Sequence, residues 1–148
     1  MRTHVLEYRV PPPVVALLVA LLMWLATGRQ WQWAWPVGLC WAVGLAIDAS
    51  GLWAFWRQRT TINPLHPERA SALVERGIYR HTRNPMYLGL LCLLLGWTLA
   101  LAQWAALLGP LVFVVYITRF QIVPEERVLL AHFGAAYDDY RQRVRRWL

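Results

Sequence analysis

Residues 76–89 read RGIYRHTRNPMYLG, and they open directly into the apolar run LLCLLL at residues 90–95. Polar backbone groups and arginine side chains at the edge of a bilayer are costly unless they bind a ligand or one another. Because the rest of the chain is mostly apolar, this polar segment predicts a functional site beside a membrane-spanning helix.

The composition of the chain indicates a membrane protein. Its 148 residues are 58% hydrophobic and include ten tryptophans, which is too apolar for one water-soluble core of that size. The net charge is +7, but the arginines flank apolar segments and do not form one continuous basic surface. Anionic lipid headgroups are therefore a better partner for this charge than nucleic acid.

Four apolar segments predict the fold class, an all-α polytopic membrane helix bundle with about four transmembrane helices and a C-terminal interfacial helix. A helix rises ~1.5 Å per residue and the hydrocarbon core is ~30 Å thick, so about 20 residues suffice to cross it. The last two segments are separated by little more than Gln103, which predicts a tight antiparallel hairpin. The predicted spans are residues 10–27, 33–56, 85–102 and 104–118.

The distribution of arginine predicts the orientation of these spans. Two arginines precede the first span, one (Arg29) lies between the first and second spans, six lie between Arg57 and Arg83, none lies in the hairpin turn, and six lie from Arg119 onward. Positively charged loops stay on the cytoplasmic side. We therefore expect an integral protein of a bacterial inner membrane, with both termini and the loop at residues 57–84 in the cytoplasm.

Three features within the spans predict contacts inside the bundle. An ionised Asp48 in the second span costs at least ~2.5 kcal/mol, so we expect it to have a partner, either in a structural hydrogen bond or in a substrate site. Pro110 lies in the middle of the fourth span and predicts a kink. Small residues that recur every four positions predict a close helix contact. They are Gly38, Ala42, Ala46, Ser50 and Ala54.

The start of the third span predicts an anion-binding position. Asn84 followed by Pro85 is typical of a helix start, because Asn caps free N–H groups and Pro suits the first helical position. The positive end of the helix dipole then lies beside Arg83 at the cytoplasmic interface. A ligand anion and a lipid phosphate are equally good interpretations of this position.

A second polar group of residues follows the fourth span. Pro124 suits a first helical turn and the helix dipole stabilises acids there, so Glu125 and Glu126 fit a simple helix start. Adjacent carboxylates are nevertheless poor anchors beside an anionic leaflet, and they suit a ligand with hydroxyls, amines or positive charge. S-adenosylmethionine has a carboxylate, an ammonium, a ribose diol and a sulfonium, so it fits both positions, although the residues alone do not single it out.

Several motifs resemble the isoprenylcysteine carboxyl methyltransferase and phospholipid methyltransferase superfamily. They are TINP at 61–64, LVERGIY at 73–79, RNPMYLG at 83–89, EERVL at 125–129 and FGAAYDDY at 133–140. The resemblance implies a single integral membrane methyltransferase domain over residues 1–148. It also implies an S-adenosylmethionine site built from about residues 76–90 and 119–147.

The resemblance further implies roles for residues of this site. Arg83 and the capped helix start hold the cofactor carboxylate, Glu125 or Glu126 holds its ribose or amino group, and Tyr79 or Tyr87 offers a π face to the sulfonium. The implied cofactor-binding residues are Tyr79, Arg83, Asn84, Pro85, Tyr87, Gly89, Glu125, Glu126, Tyr137 and Tyr140.

Methyl transfer from a sulfonium is an in-line displacement, so orientation and exclusion of water supply much of the acceleration. The implied catalytic residues are Arg83, Glu126 and His81. His81 is either a base that deprotonates the acceptor or a hydrogen-bonded surface residue. The chemistry requires no metal, and the four histidines, at positions 4, 66, 81 and 132, show no metal-ligand spacing.

Two departures from the superfamily pattern bear on the acceptor. Isoprenylcysteine enzymes carry His where this chain has Asn84, and the glycine doublet of some phospholipid enzymes is missing around Gly89. These departures argue against a prenylated-protein substrate. We predict a methyltransferase that acts at the cytoplasmic side on a lipophilic or small amine, thiol or carboxylate acceptor, with membrane lipids as partners. The alternative is a non-catalytic membrane lipid-binding or assembly module.

The last residues of the chain predict a basic amphipathic helix that lies on the inner leaflet. This helix either caps the cofactor or anchors the protein, and the arginines near its end favour anchoring. Its apolar face comprises Tyr137, Tyr140, Val144, Trp147 and Leu148, and the remaining surface carries Arg141, Arg143, Arg145 and Arg146.

Overall fold

The computed structural model describes residues 10–28, 31–58 and 73–148, and every regular element in these ranges is helical. The α-helices are α1 (Pro12–Ala26), α2 (Trp35–Gln58), α3 (Pro85–Leu101), α4 (Leu108–Ile117), α5 (Val123–Phe133) and α6 (Ala135–Arg143). Short 3₁₀ helices precede α3 and α4, and a π-helical turn joins α4 to α5. The all-α prediction is confirmed, while His4, His66 and the motif at 61–64 lie outside the described ranges.

Two helical stretches are long and apolar enough to cross a bilayer, judged by length and composition. They are Trp35–Arg57 and the continuous stretch Trp104–Phe133. α1, with 15 residues, and α3, with 17, are apolar but shorter. At ~1.5 Å per residue these two helices are about 23 and 26 Å long, so each is a little short of the hydrocarbon core. Two spans are thus supported by this measure, and the four-span bundle stays a prediction.

Tryptophan side chains connect α3 to α1 and to α2 through backbone carbonyls. Trp97 donates from Nε1 to the carbonyl oxygen of Ala20 on α1 at 3.0 Å. Trp41 on α2 donates in the same way to the carbonyl of Leu93 at 3.2 Å. The apolar core lies where α1, α3 and α4 meet, and it contains the fully buried Phe113. α3 is therefore the central helix against which the others pack.

α2 packs on α3 through Gly44 and Gly51, and not through the predicted four-residue series. A Cβ at Gly44 would lie 2.8 Å from the carbonyl oxygen of Gly89, and one at Gly51 would lie 3.1 Å from an α3 side chain. Ala42 and Ala46 of the predicted series are exposed. Residues seven apart return to nearly the same helix face, whereas a four-residue spacing drifts by about 40° at each step.

Asp48 lies against the backbone of Gly89 in this interface. Its carboxylate occupies the space into which a side chain at position 89 would extend. Its Oδ1 is buried and has no hydrogen-bond partner among the residues that the structure describes. The polar partner expected for Asp48 is therefore not found there, and the contact that the structure provides is with helix backbone.

Gly89→Ala is expected to destabilise the α2–α3 interface. The added methyl group would overlap the Asp48 carboxylate, and overpacking of this kind costs about 1–3 kcal/mol of unfolding free energy. Thermal unfolding in detergent should show a lower midpoint, and combining Gly89→Ala with Asp48→Ala should recover most of the loss. A Gly89→Ala protein as stable as the parent would contradict the close contact.

The long stretch formed by α4 and α5 is interrupted by the π-helical turn Thr118–Ile122, and not by a kink at Pro110. Pro110 is the third residue of α4, in the first turn, where its missing N–H costs little. Pro124 cannot donate to the carbonyl four residues earlier and its ring crowds that carbonyl, so the helix widens there. Val123 accordingly donates to the carbonyl of Thr118, five residues back. This turn sets the direction of the two acids that follow.

α6 ends at Arg143, before the predicted interfacial helix is complete. Val144 is extended (φ −123°, ψ 132°), and residues 144–148, which we call the strap, contact the rest of the protein. Tyr137, Tyr140 and Val144 share one face, as predicted, but all three are buried in a cluster with residues of the protein itself. The burial of this face favours the alternative in which the segment caps the site, with Tyr137 and Tyr140 inside, over the alternative in which this face lies on the lipid surface.

Candidate functional site

Two distant parts of the chain meet at Arg83 and Glu126. Nη1 of Arg83 lies 3.1 Å from Oε1 of Glu126, and the two side chains are only 11% and 17% exposed. The same nitrogen donates to the Tyr137 hydroxyl at 3.4 Å. Arg83 precedes α3, which begins at Pro85 as predicted, and Glu126 follows the π-helical turn. The local helix boundaries therefore bring three predicted site residues together.

Arg146, which sequence reasoning assigned to membrane anchoring, is a further ionic member of this group. It donates from Nε to Glu126 Oε1 at 2.9 Å and from Nη2 to Oε2 at 2.7 Å, the strong two-point geometry of an arginine–carboxylate pair. Hydrogen bonding to Glu126 raises the pKa of Arg146. We call Arg83, Glu126, Tyr137 and Arg146 the polar cluster. The sequence gives no signal for Arg146, because the strap departs from the helical period.

Backbone carbonyls of the strap bind the polar groups that precede α3. The side-chain amide of Asn84 donates to the carbonyl of Arg146 at 2.8 Å, and the Thr82 hydroxyl donates to the same oxygen at 3.3 Å. The backbone N–H of Arg83 donates to the carbonyl of Arg145 at 3.0 Å. Asn84 makes no side-chain capping hydrogen bond. The predicted cap is therefore wrong, because the amide of Asn84 turns toward the strap.

Glu125, the acid next to Glu126, has a different partner. The Tyr87 hydroxyl donates to Glu125 Oε1 at 2.5 Å. Neighbouring helical residues point about 100° apart, which is consistent with the different partners of the two acids in this conformation. Tyr87 is only 6% exposed and belongs to the apolar core. Its ring therefore offers no open π face in this conformation, and its hydroxyl fastens α3 to α5.

The other predicted tyrosines are buried beside the polar cluster. Tyr140 donates from its hydroxyl to the carbonyl of Tyr79 at 2.7 Å, and the Tyr79 ring meets Phe55 of α2 edge-on at a centroid distance of 5.5 Å. Burial raises the pKa of Tyr137 to about 12, and the charge of Glu126 adds to this effect. Burial likewise raises the pKa of Tyr140. Both hydroxyls are therefore protonated at neutral pH.

Two predicted site residues lie apart from these contacts. The side chain of His81 is exposed. Gly89 faces Asp48 on α2, and since two helical residues turn by about 200°, it lies across α3 from Tyr87. Among residues 10–28, 31–58 and 73–148, no group of three or more His, Cys, Asp or Glu side chains is arranged to hold a metal.

The hydrogen-bonding groups of the polar cluster fit a zwitterionic ligand such as S-adenosylmethionine. Nε of Arg83 is buried and has no hydrogen-bond partner in the described part of the chain. A buried unsatisfied donor costs about 1–3 kcal/mol, and a ligand carboxylate or hydroxyl would remove that cost. The carboxylate of Glu126 can accept hydrogen bonds from an ammonium or a ribose hydroxyl.

Comparisons with known proteins identify the family of the chain. The family model of phospholipid methyltransferases matches residues 34–136, a region that includes both Arg83 and Glu126. An uncharacterized protein of Haemophilus influenzae is 51% identical over 63 residues, which are 43% of this chain and 100% of that protein. No solved structure matches the chain. With its matched region covering most of the helices and both polar motifs, the chain belongs to the phospholipid methyltransferase family.

Proposed function

We propose that the protein is an S-adenosylmethionine-dependent methyltransferase that modifies a lipophilic acceptor at the cytoplasmic face of a bacterial inner membrane. The contact between Arg83 and Glu126 carries the proposal, because it joins the two polar motifs inside the region that matches the family. Charges this well covered are costly when they serve packing alone. Binding of a charged ligand would explain why Arg83 and Glu126 are both present at this position.

The residues of the chain bind and orient the cofactor, which supplies a methyl group on a positively charged sulfur. Arg83 binds its carboxylate through the nitrogen that otherwise lacks a partner. Glu126 accepts hydrogen bonds from its ammonium or ribose, and Glu125 is a second acceptor held by Tyr87. Low exposure of the polar cluster keeps water away from the reacting atoms. His81 is the candidate base for the acceptor proton.

We further propose that four helices span the membrane, with both termini in the cytoplasm. α1 and α3 then cross a locally thinned bilayer or extend through their flanking residues. An apolar acceptor enters sideways from the bilayer, between the helices. The family makes the amine of a phospholipid headgroup the first acceptor to test, before small amines, thiols or carboxylates.

Calorimetric titration of detergent-purified protein with S-adenosylmethionine and S-adenosylhomocysteine tests the cofactor assignment. We expect saturable binding of both compounds. If folded protein binds neither, the enzyme proposal is wrong, and a non-catalytic lipid-binding or assembly module is the better reading.

Transfer of tritium from methyl-labelled S-adenosylmethionine tests the acceptor. Vesicles of phosphatidylethanolamine offer a primary amine, whereas phosphatidylcholine is already fully methylated and serves as the control. We expect label in the lipid extract from the first vesicles only. Cofactor binding without such transfer would retain the enzyme assignment and exclude this headgroup as the acceptor.

A further inference from the structure

The strap is held by contacts with three separate parts of the protein. Its carbonyls at Arg145 and Arg146 accept hydrogen bonds from the residues before α3. Trp147 donates from Nε1 to the Thr118 hydroxyl at 3.3 Å, in the π-helical turn. Val144 is buried with the tyrosines of α6. These contacts hold an extended segment across the edge of the polar cluster.

Arg146 provides the ionic contact between the strap and the polar cluster. Both Arg146 and Arg83 contact Oε1 of Glu126, while Oε2 is bound by Arg146. A carboxylate held by two guanidinium groups has little freedom to rotate, so its direction toward a ligand is fixed in advance. The Arg146 side chain is 37% exposed, compared with 11% for Arg83. Arg146 therefore lies on the outer side of the cluster.

The closed strap does not use all the hydrogen-bonding groups of the cluster. Nε of Arg83 is buried without a partner while the strap is in place. This nitrogen is a donor that a ligand bound beneath the strap would satisfy. Because Arg83 and Glu126 are largely covered, however, a ligand can reach them only after the strap has moved aside.

We infer that Arg146 is a positioning residue of the S-adenosylmethionine site and that the strap closes over the bound cofactor. The inference rests on the proposed function. Arg146 orients Glu126 and latches the strap, and Glu126 in turn contacts the ligand. Cofactor binding and strap closure are thus coupled, and each stabilises the other.

Binding of S-adenosylhomocysteine to Arg146 variants tests the positioning role. Arg146→Ala should raise the dissociation constant about tenfold, because Glu126 loses its two-point contact. Arg146→Lys keeps the positive charge but cannot make the two-point contact of a guanidinium group, so it should weaken binding by a smaller factor. Arg145→Ala is the matched control, because its exposed side chain is removed while the backbone contact with Arg83 is kept.

Trypsin digestion of the full-length protein tests closure of the strap. Cleavage after Arg143 or Arg145 requires an open strap, so ligand bound beneath it should slow the release of the last residues. At a ligand concentration of about ten times the dissociation constant, the reduction should be roughly tenfold. In Arg146→Ala, at ligand matched to its own dissociation constant, protection should be largely lost. Intact-mass measurement follows the reaction.

The two readouts separate this inference from the proposed function. If the parent protein does not bind S-adenosylhomocysteine, the proposed function fails. If the parent binds and Arg146→Ala binds equally well, Arg146 has no positioning role. If bound ligand speeds up cleavage, the strap is displaced and does not close. If Arg146→Ala does not fold, ligand binding and trypsin digestion are both measured on Arg146→Lys, and thermal unfolding checks that this variant is folded.

Discussion

Replacing Arg83 by alanine is expected to abolish the binding of S-adenosylmethionine and S-adenosylhomocysteine. The change removes the ion pair with Glu126 and the buried nitrogen that has no protein partner. Loss of one member of a largely buried ion pair costs about 3 kcal/mol or more. If that cost falls on binding, affinity drops by about a hundredfold. Calorimetry in detergent measures the effect, and thermal unfolding checks that the variant is folded.

An exposed arginine of the same domain provides the control for this experiment. Arg141 pairs with Asp138 one turn away on α6, and the two side chains are 45% and 38% exposed. Pairs of this kind contribute about 0–1 kcal/mol, so Arg141→Ala should leave binding nearly unchanged. If folded Arg83→Ala bound like the parent, Arg83 would serve only its contacts with Glu126 and Tyr137, and the site would lie elsewhere.

The helices and the meeting of the two polar motifs could be predicted from the sequence, because local patterns carry them. Prolines mark the first turns of α1, α3 and α5, and long apolar stretches define the helices that they begin. The motif with Arg83 precedes one apolar helix and the motif with Glu126 follows the next. In an antiparallel hairpin these two ends lie side by side, as the structure shows.

The remaining features depend on contacts that cannot be predicted from the types of the residues involved. The side-chain amide of Asn84 binds a carbonyl of the strap and does not cap the helix, and every residue offers the same backbone carbonyl to such a contact. The prediction of a kink at Pro110 fails because a 3₁₀ helix at residues 104–107 moves the start of α4 to Leu108, which the apolar pattern does not reveal. Arg146 was assigned to the membrane on a helical period that ends at Arg143.

Changes to the pair formed by Tyr87 and Glu125 are expected to separate stability from binding. Tyr87→Phe removes the hydroxyl that donates to the carboxylate. Leaving a buried carboxyl group without its hydrogen-bond partner costs about 1–3 kcal/mol, so the free energy of unfolding should fall by about 2 kcal/mol. Tyr116→Phe is the control, since the Tyr116 ring lies on α4 against Phe120, at a centroid distance of 4.9 Å. Denaturation in detergent measures both variants.

Glu125→Gln is expected to have the opposite effect on the same pair, because it should weaken binding and leave stability nearly unchanged. The glutamine oxygen still accepts the Tyr87 hydroxyl, so stability should change by less than about 1 kcal/mol. Glutamine cannot become negatively charged, so if Glu125 holds the ammonium or ribose of the cofactor, affinity should fall about tenfold. The variant with both Tyr87→Phe and Glu125→Gln should lose less unfolding free energy than the two single variants lose in sum, because both substitutions act on one contact. Normal affinity in Glu125→Gln, together with an unstable Tyr87→Phe, would mean that the pair only joins α3 to α5, which would leave Glu126 as the acid that serves the ligand.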